Sequence, residues 1–102
     1  MKNLISIHIK EIAKLCEAFK VKKMYVFGSI TSEKFNDDSD IDFLISFFDN
    51  ITIQEYSDNY FELHYKLKDI LNREIDIITE RSLKNPYFIE SINSSKQLIY
   101  EA

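Results

Sequence analysis

The chain is poor in the residues that break or staple a fold. Its 102 residues include one Gly, one Pro, one Cys and no Trp. A single thiol, Cys16, cannot close an internal disulfide. That excludes a disulfide-stapled scaffold and fits a reducing compartment. So few Gly and Pro exclude collagen-like, linker-like and Pro-rich chains. Long apolar runs are missing too. Between Met1 and Phe19, Lys2, His8, Lys10, Glu11, Lys14 and Glu17 interrupt the apolar residues. A signal peptide needs an unbroken apolar stretch and a membrane span needs about 20 such residues. Positive charge is not in excess: the net charge is −4. No global basic field is available, so direct nucleic-acid binding is not expected. What remains is 45% hydrophobic and 29% charged residues, the balance of a folded domain rather than a disordered chain. The expectation is one cytoplasmic domain over residues 1–102 with no membrane association. Its core is small enough that a partner protein or self-association is expected to complete it.

Periodicity places the elements. Ile5, Ile9, Ile12, Cys16 and Phe19 recur at steps of four and three, one stripe of an amphipathic helix over Asn3 to Phe19. Cys16 lies on this stripe and reads as a buried hydrophobe; His8 lies off it. Lys20, Lys22 and Lys23 suit the negative end of that helix. Met24 to Phe27 is β-prone and stops at Gly28. Ile41 to Ile45 is a second strand, with Phe47 and Phe48 just beyond. Thr52 and Glu55 form a capping box that opens a helix to about Leu71, with Tyr56, Tyr60, Leu63, Leu67 and Leu71 as its stripe. Ile75 to Thr79 is a third strand. Asn85-Pro86 starts another helix, fading near Asn93 to Ser95, and Gln97 to Tyr100 reads as a last short strand in preference to a continuation of that helix. The fold class expected is α/β (α+β), a small mixed sheet of three to four strands flanked by helices.

Three features carry possible chemistry. Gly28-Ser29 follows the first strand directly, Asp40 and Asp42 open the second, and Asp76 sits in the third among isoleucines. Alternation along a strand puts Asp40 and Asp42 on one side. Paired carboxylates repel, and a cation between them relieves the repulsion. Such hard oxygen ligands suit Mg²⁺. Asp76 joins them if the third strand lies beside the second, and three carboxylates could hold two metals about 3.5–4 Å apart for phosphoryl displacement. Gly28 lets backbone approach a phosphate, and Ser29 adds a hydroxyl and an N–H. Each feature alone has a bland explanation, a wet strand face or an ordinary turn. Their combination at this spacing has a chance probability on the order of 10⁻³.

The segment from Gly28-Ser29 through Asp40-Ile41-Asp42 resembles the signature of the DNA polymerase β nucleotidyltransferase superfamily, and most of all the minimal nucleotidyltransferases (MNT) encoded beside HEPN-domain proteins. The resemblance implies a polymerase β-like fold. It further implies that Asp40 and Asp42 bind two Mg²⁺ ions, that Asp76 completes the catalytic metal site, and that Gly28 and Ser29 hold the β and γ phosphates of ATP. The implied function is a protein adenylyltransferase antitoxin. It would move AMP from ATP to a tyrosine hydroxyl of a partner HEPN toxin, release pyrophosphate and neutralise the toxin. Many relatives carry an arginine soon after Gly-Ser. Here Ile30, Thr31, Ser32 and Glu33 occupy those places, Lys34 is the nearest base, and Asp37 and Asp38 add negative charge. Weaker phosphate binding follows.

Two other readings stand beside this one. The chain could be a binding module that neutralises its partner by contact alone. It could also be a nucleotidyltransferase for small molecules, although enzymes of that kind usually carry a second domain. The aromatic residues Tyr56, Tyr60, Phe61 and Tyr65 exceed one helix face, so those left after packing are candidate docking residues. One of Phe47 and Phe48 is a further candidate contact. His64 lacks a partner at metal-ligand spacing.

Overall fold

The computed structural model describes residues 2–102. The order is α1 (Lys2–Ile7), α2 (Ile9–Ala18), β1 (Val21–Phe27), a 3₁₀ turn (Gly28–Thr31), β2 (Ile41–Phe47), α3 (Ile53–Leu71), β3 (Ile75–Thr79), a second 3₁₀ turn (Glu80–Ser82), α4 (Pro86–Ser95) and β4 (Gln97–Glu101). The four strands form one mixed sheet in the order β3-β2-β1-β4. β1 is antiparallel to β2 and β4, and β2 is parallel to β3. None of the helices described is long and apolar enough to cross a membrane.

The sheet has two unlike faces. Met24 and Val26 of β1, Ile41, Phe43, Ile45 and Phe47 of β2, and Ile75 and Ile77 of β3 pack with Ile12 and Cys16 of α2 and with Leu63, Leu67 and Leu71 of α3. This is the main core. A smaller cluster on the other face joins Phe27, Leu44 and Ile92 of α4, with Tyr25, Ile78 and Leu83 against it. Phe88 of α4 meets Phe27 edge to face at 6.3 Å. Burial pushes the Cys16 thiol up to about 12, as expected for a core hydrophobe.

Locally encoded features form as expected. Thr52 Oγ1 accepts from the Glu55 amide at 3.1 Å, and Glu55 Oε1 accepts from the Thr52 amide at 3.3 Å, completing the capping box. Asn85 Oδ1 accepts from the Tyr87 and Phe88 amides, with Pro86 at the first helical position.

Three expectations need correction. The single leading helix is broken at His8 (φ −105°, ψ 10°), whose amide bonds back to Ile5 three residues earlier. β-branched Ile5, Ile7 and Ile9 alternate here, a pattern that weakens a helix. Lys22 and Lys23 do not belong to the helix end. The chain reverses through Lys20 (φ 62°), and β1 starts at Val21 with an irregular register between Val21 and Lys23. Asp40 lies one residue before β2, which reaches on to Phe47, so strand alternation does not orient it.

Candidate active site

One end of the sheet gathers the acidic residues. The Cα partners run Phe27 to Asp42 across β1 and β2, and Asp42 to Asp76 across β2 and β3. Residues directly opposite in a ladder share a face, so both carboxylates stand on the α4 side. Asp42 is half-buried, while Asp40 and Asp76 are exposed. Burial first, and then the charges of Asp76 and Asp40, raise the Asp42 carboxyl above the usual carboxylate range. Asp42 therefore feels both of the other carboxylates.

Gly28 follows Phe27 with φ +77°, a conformation that side-chain-bearing residues rarely adopt. A Cβ there would stand 2.7 Å from Asp42 Oδ2. Glycine is thus required for the approach of the Asp42 carboxylate, besides any approach of a phosphate. The turn is fixed from several sides. The Gly28 N–H donates to Ser95 Oγ at 3.3 Å, Thr31 Oγ1 donates to the Gly28 carbonyl at 2.7 Å, and Ser32 Oγ donates to the Ser29 carbonyl at 3.0 Å. Ser29 is half-buried beside it.

Across the site, β3 is an edge strand whose outward carbonyls are capped by α3. Tyr60 Oη donates to the Ile77 carbonyl at 2.7 Å. His64 Nε2 lies 3.3 Å from the Ile75 carbonyl, a bond that needs the Nε2-protonated tautomer. These two bonds flank Asp76. Burial and the Asp76 charge raise the Tyr60 hydroxyl. His64 thus has a structural partner. Beyond Tyr60, a groove of about 570 Å³ runs between α3 and α4, with Phe61, Ile78, Leu83 and Phe88 in its walls.

Among the described residues no three His, Cys, Asp or Glu side chains make a ready metal cage. The donor set still suits Mg²⁺, which usually takes one or two carboxylates and completes its shell with water and substrate phosphates. Asp42 and Asp76 supply two carboxylates in register, Asp40 flanks them, and a divalent cation would relieve the repulsion that Asp42 records.

Sequence reasoning missed three participants. Ser95 anchors the Gly28 turn from α4. Lys96, the next residue, lies 4.6 Å above the Tyr25 ring and brings a cation to the α4 face, whereas Lys34 is exposed in the loop. Arg73 ties down the loop before Asp40. Only Arg73 left a signal: it is one of two arginines among 13 basic residues, and it precedes Asp76 by three.

Comparison with known proteins adds to this geometry. The family model described as "Polymerase beta, Nucleotidyltransferase" matches residues 9–102. A Methanocaldococcus jannaschii protein, named as a proposed protein adenylyltransferase, is 38% identical over 97 residues, covering 90% of this chain and 93% of that protein. A crystal structure of a toxin–antitoxin with AMP-PNP superposes with a TM-score of 0.70 at 22% identity, over 92% of this chain and 73% of that one. A structure of the tri-AMPylated Shewanella oneidensis HEPN toxin in complex with MNT antitoxin gives 0.65 at 20% identity, over 95% and 72%. At these identities the two structures speak for the fold.

Proposed function

This chain belongs to the polymerase beta nucleotidyltransferase family, and from that premise we propose that it is a Mg²⁺-dependent protein adenylyltransferase that neutralises a HEPN-domain toxin. The observation that carries the reading is the line Gly28, Asp42, Asp76 across β1, β2 and β3, with the Asp42 carboxylate seated in the space that Gly28 leaves open. The relatives named above as adenylyltransferase, as a toxin–antitoxin with a nucleotide analogue and as an MNT–HEPN complex support ATP as the substrate and a HEPN protein as the partner.

The line has a direction. Gly28 and Ser29, at the head of the 3₁₀ turn after β1, offer the nucleotide's β and γ phosphates a close backbone approach. Asp42 sits in the middle, where the α-phosphate would lie, and Asp40 shares its charge. Asp76 is on the edge strand, so the acceptor hydroxyl, a tyrosine in this proposal, enters from the β3 side. The apolar groove beside Phe61 and Phe88 would receive the chain that carries it. The acceptor oxygen forms the new bond to the α-phosphorus, the bond to the bridging oxygen breaks, pyrophosphate leaves and the hydroxyl proton is released. Mg²⁺ held by Asp40, Asp42 and Asp76 would supply charge neutralisation and a lowered hydroxyl pKa.

Transfer is tested with ATP labelled at the α or the γ phosphate, Mg²⁺ and a purified HEPN-domain partner. Label is expected in the partner from the α position only. The contact-only alternative draws on the loop after Gly28-Ser29, where Ile30, Thr31, Ser32 and Glu33 offer a phosphate no cation. That alternative predicts that an Asp40→Asn/Asp42→Asn protein neutralises the partner as well as wild type, and this result would displace the enzyme reading.

A further inference from the structure

Arg73 occupies the turn between α3 and β3, where Asn72 reverses the chain with φ 50°. It is half-buried. Its Nη1 donates to the carbonyls of Asn36 at 2.9 Å and Ser39 at 2.8 Å, and its guanidinium lies 4.6 Å from the centroid of the Phe35 ring. All three partners belong to the loop joining β1 to β2, and Ser39 adjoins Asp40. One residue beyond Arg73, the Glu74 carbonyl accepts from the Ile41 amide at 3.2 Å.

The loop's other hydrogen bonds are local. Ser39 Oγ accepts from the Asn36 amide, Asn36 Oδ1 accepts from the Asp38 amide, and the Ser39 amide donates to the Asn36 carbonyl. They close the turn on itself without fixing it to the sheet. Asp42 and Asp76 are held by the strand ladder, while Asp40 is not. Among the described residues Arg73 forms no ion pair. It spends its donors on neutral carbonyls, so it fixes geometry without neutralising the carboxylates.

We propose that Arg73 is a positioning residue, which clamps the loop of residues 35–39 to the α3–β3 turn and so presents Asp40 beside Asp42 and Asp76. The proposal rests on the metal-dependent reading above. The chemistry requires arginine. A planar guanidinium can serve two carbonyls and lie on an aromatic ring together, which a lysine ammonium does not reproduce.

The test uses Arg73→Met, Arg73→Lys and wild type. In the metal-free protein, amide hydrogen exchange over residues 35–41 should accelerate at least about tenfold in both variants, the scale of losing charge-assisted hydrogen bonds, while β1 and the centre of β2 keep their protection. By calorimetry, the Mg²⁺ concentration that half-saturates ATP binding should rise by about tenfold. In an Asp40→Asn background the same substitution should add no further loss of Mg²⁺ affinity, because both changes act through one carboxylate. Unchanged exchange in the loop overturns the clamp. Uniformly faster exchange through the sheet, or additive losses in the double variant, reduces Arg73 to a general stabiliser and overturns the positioning role. If wild type itself binds ATP without regard to Mg²⁺, the functional reading fails, and the exchange arm still decides the clamp.

Discussion

The two faces of the sheet come from the same strands and do opposite things. On β2, Ile41, Phe43 and Ile45 enter the core under α2 and α3, while Asp42, Leu44 and Ser46 face the other way. The helix side is apolar and fully buried at its centre. The α4 side is covered only in part, by a small cluster around Phe27, Leu44 and Ile92, and its uncovered end carries the carboxylates. The contrast teaches that stability and chemistry are divided by strand alternation. One residue of phase separates a side chain that holds the fold from one that strains it. At Asp42, burial and then the charges of Asp76 and Asp40 hold the carboxyl above the ordinary range.

The sharpest way to break the contrast is to remove charge from the α4 side. Asp42→Asn should weaken Mg-ATP binding and lower transfer by several orders of magnitude, because phosphoryl transfer depends on electrostatic stabilisation at the reacting phosphate. Single-turnover label transfer checks this. On the opposite face, Leu63→Ala removes a fully buried side chain of α3. It should cost about 2–5 kcal/mol in denaturant unfolding and leave transfer by the folded fraction close to wild type. Gly28→Ala belongs to both sides of the comparison. Its strained φ and its clash with Asp42 should cost about 1–3 kcal/mol, with a loss of transfer larger than the lost stability explains.

The smallest expected effect is on pH dependence. Because the folded-state pKa of Asp42 is raised, its ionised form opposes folding. That penalty is fully present above the folded pKa and is relieved as pH falls through it towards the unfolded value. Asp42→Asn should therefore melt higher than wild type in metal-free buffer at neutral pH, and the difference should shrink on acidification. Glu55 and Glu74 have lowered pKa values from their lysine partners, Lys20 and Lys68, and act with the opposite sign in both proteins. They cancel in the comparison.

What was legible in the sequence was local. The Thr52–Glu55 box, the Asn85-Pro86 start and the isoleucine run of β3 are decided by neighbours a few residues away, and each formed where the pattern placed it. Alternation also put the Asp42 and Asp76 side chains on one face once β3 paired with β2. Phe47, the last residue of β2, and Phe48 just beyond it separated, at 8% and 38% exposed. The early start of β1 is set by pairing with β2, which no short-range signal marks, whereas the break at His8 has a local correlate in the alternating Ile5, Ile7 and Ile9. Arg73 stands out as a rare arginine close to Asp76, but its partners lie 34 and 37 residues earlier and nothing local points to them. Ser95 reaches Gly28 across 67 residues. The carboxylates were visible because their chemistry is uncommon on a strand; Ser95, which bonds the Gly28 turn, looks like any other serine.

The central claim is that the acidic end of the α4 face is a catalytic centre with a nucleotide side and an acceptor side. The measurement that tests it most directly is single-turnover AMP transfer by Asp76→Asn at saturating Mg-ATP. The substitution is nearly isosteric and removes only the carboxylate proposed for the acceptor side. The account predicts a loss of several orders of magnitude in transfer while Mg-ATP affinity stays near wild type, because Asp40 and Asp42 remain for the nucleotide. Transfer close to the wild-type rate would contradict it and return Asp76 to the wet side of an ordinary edge strand.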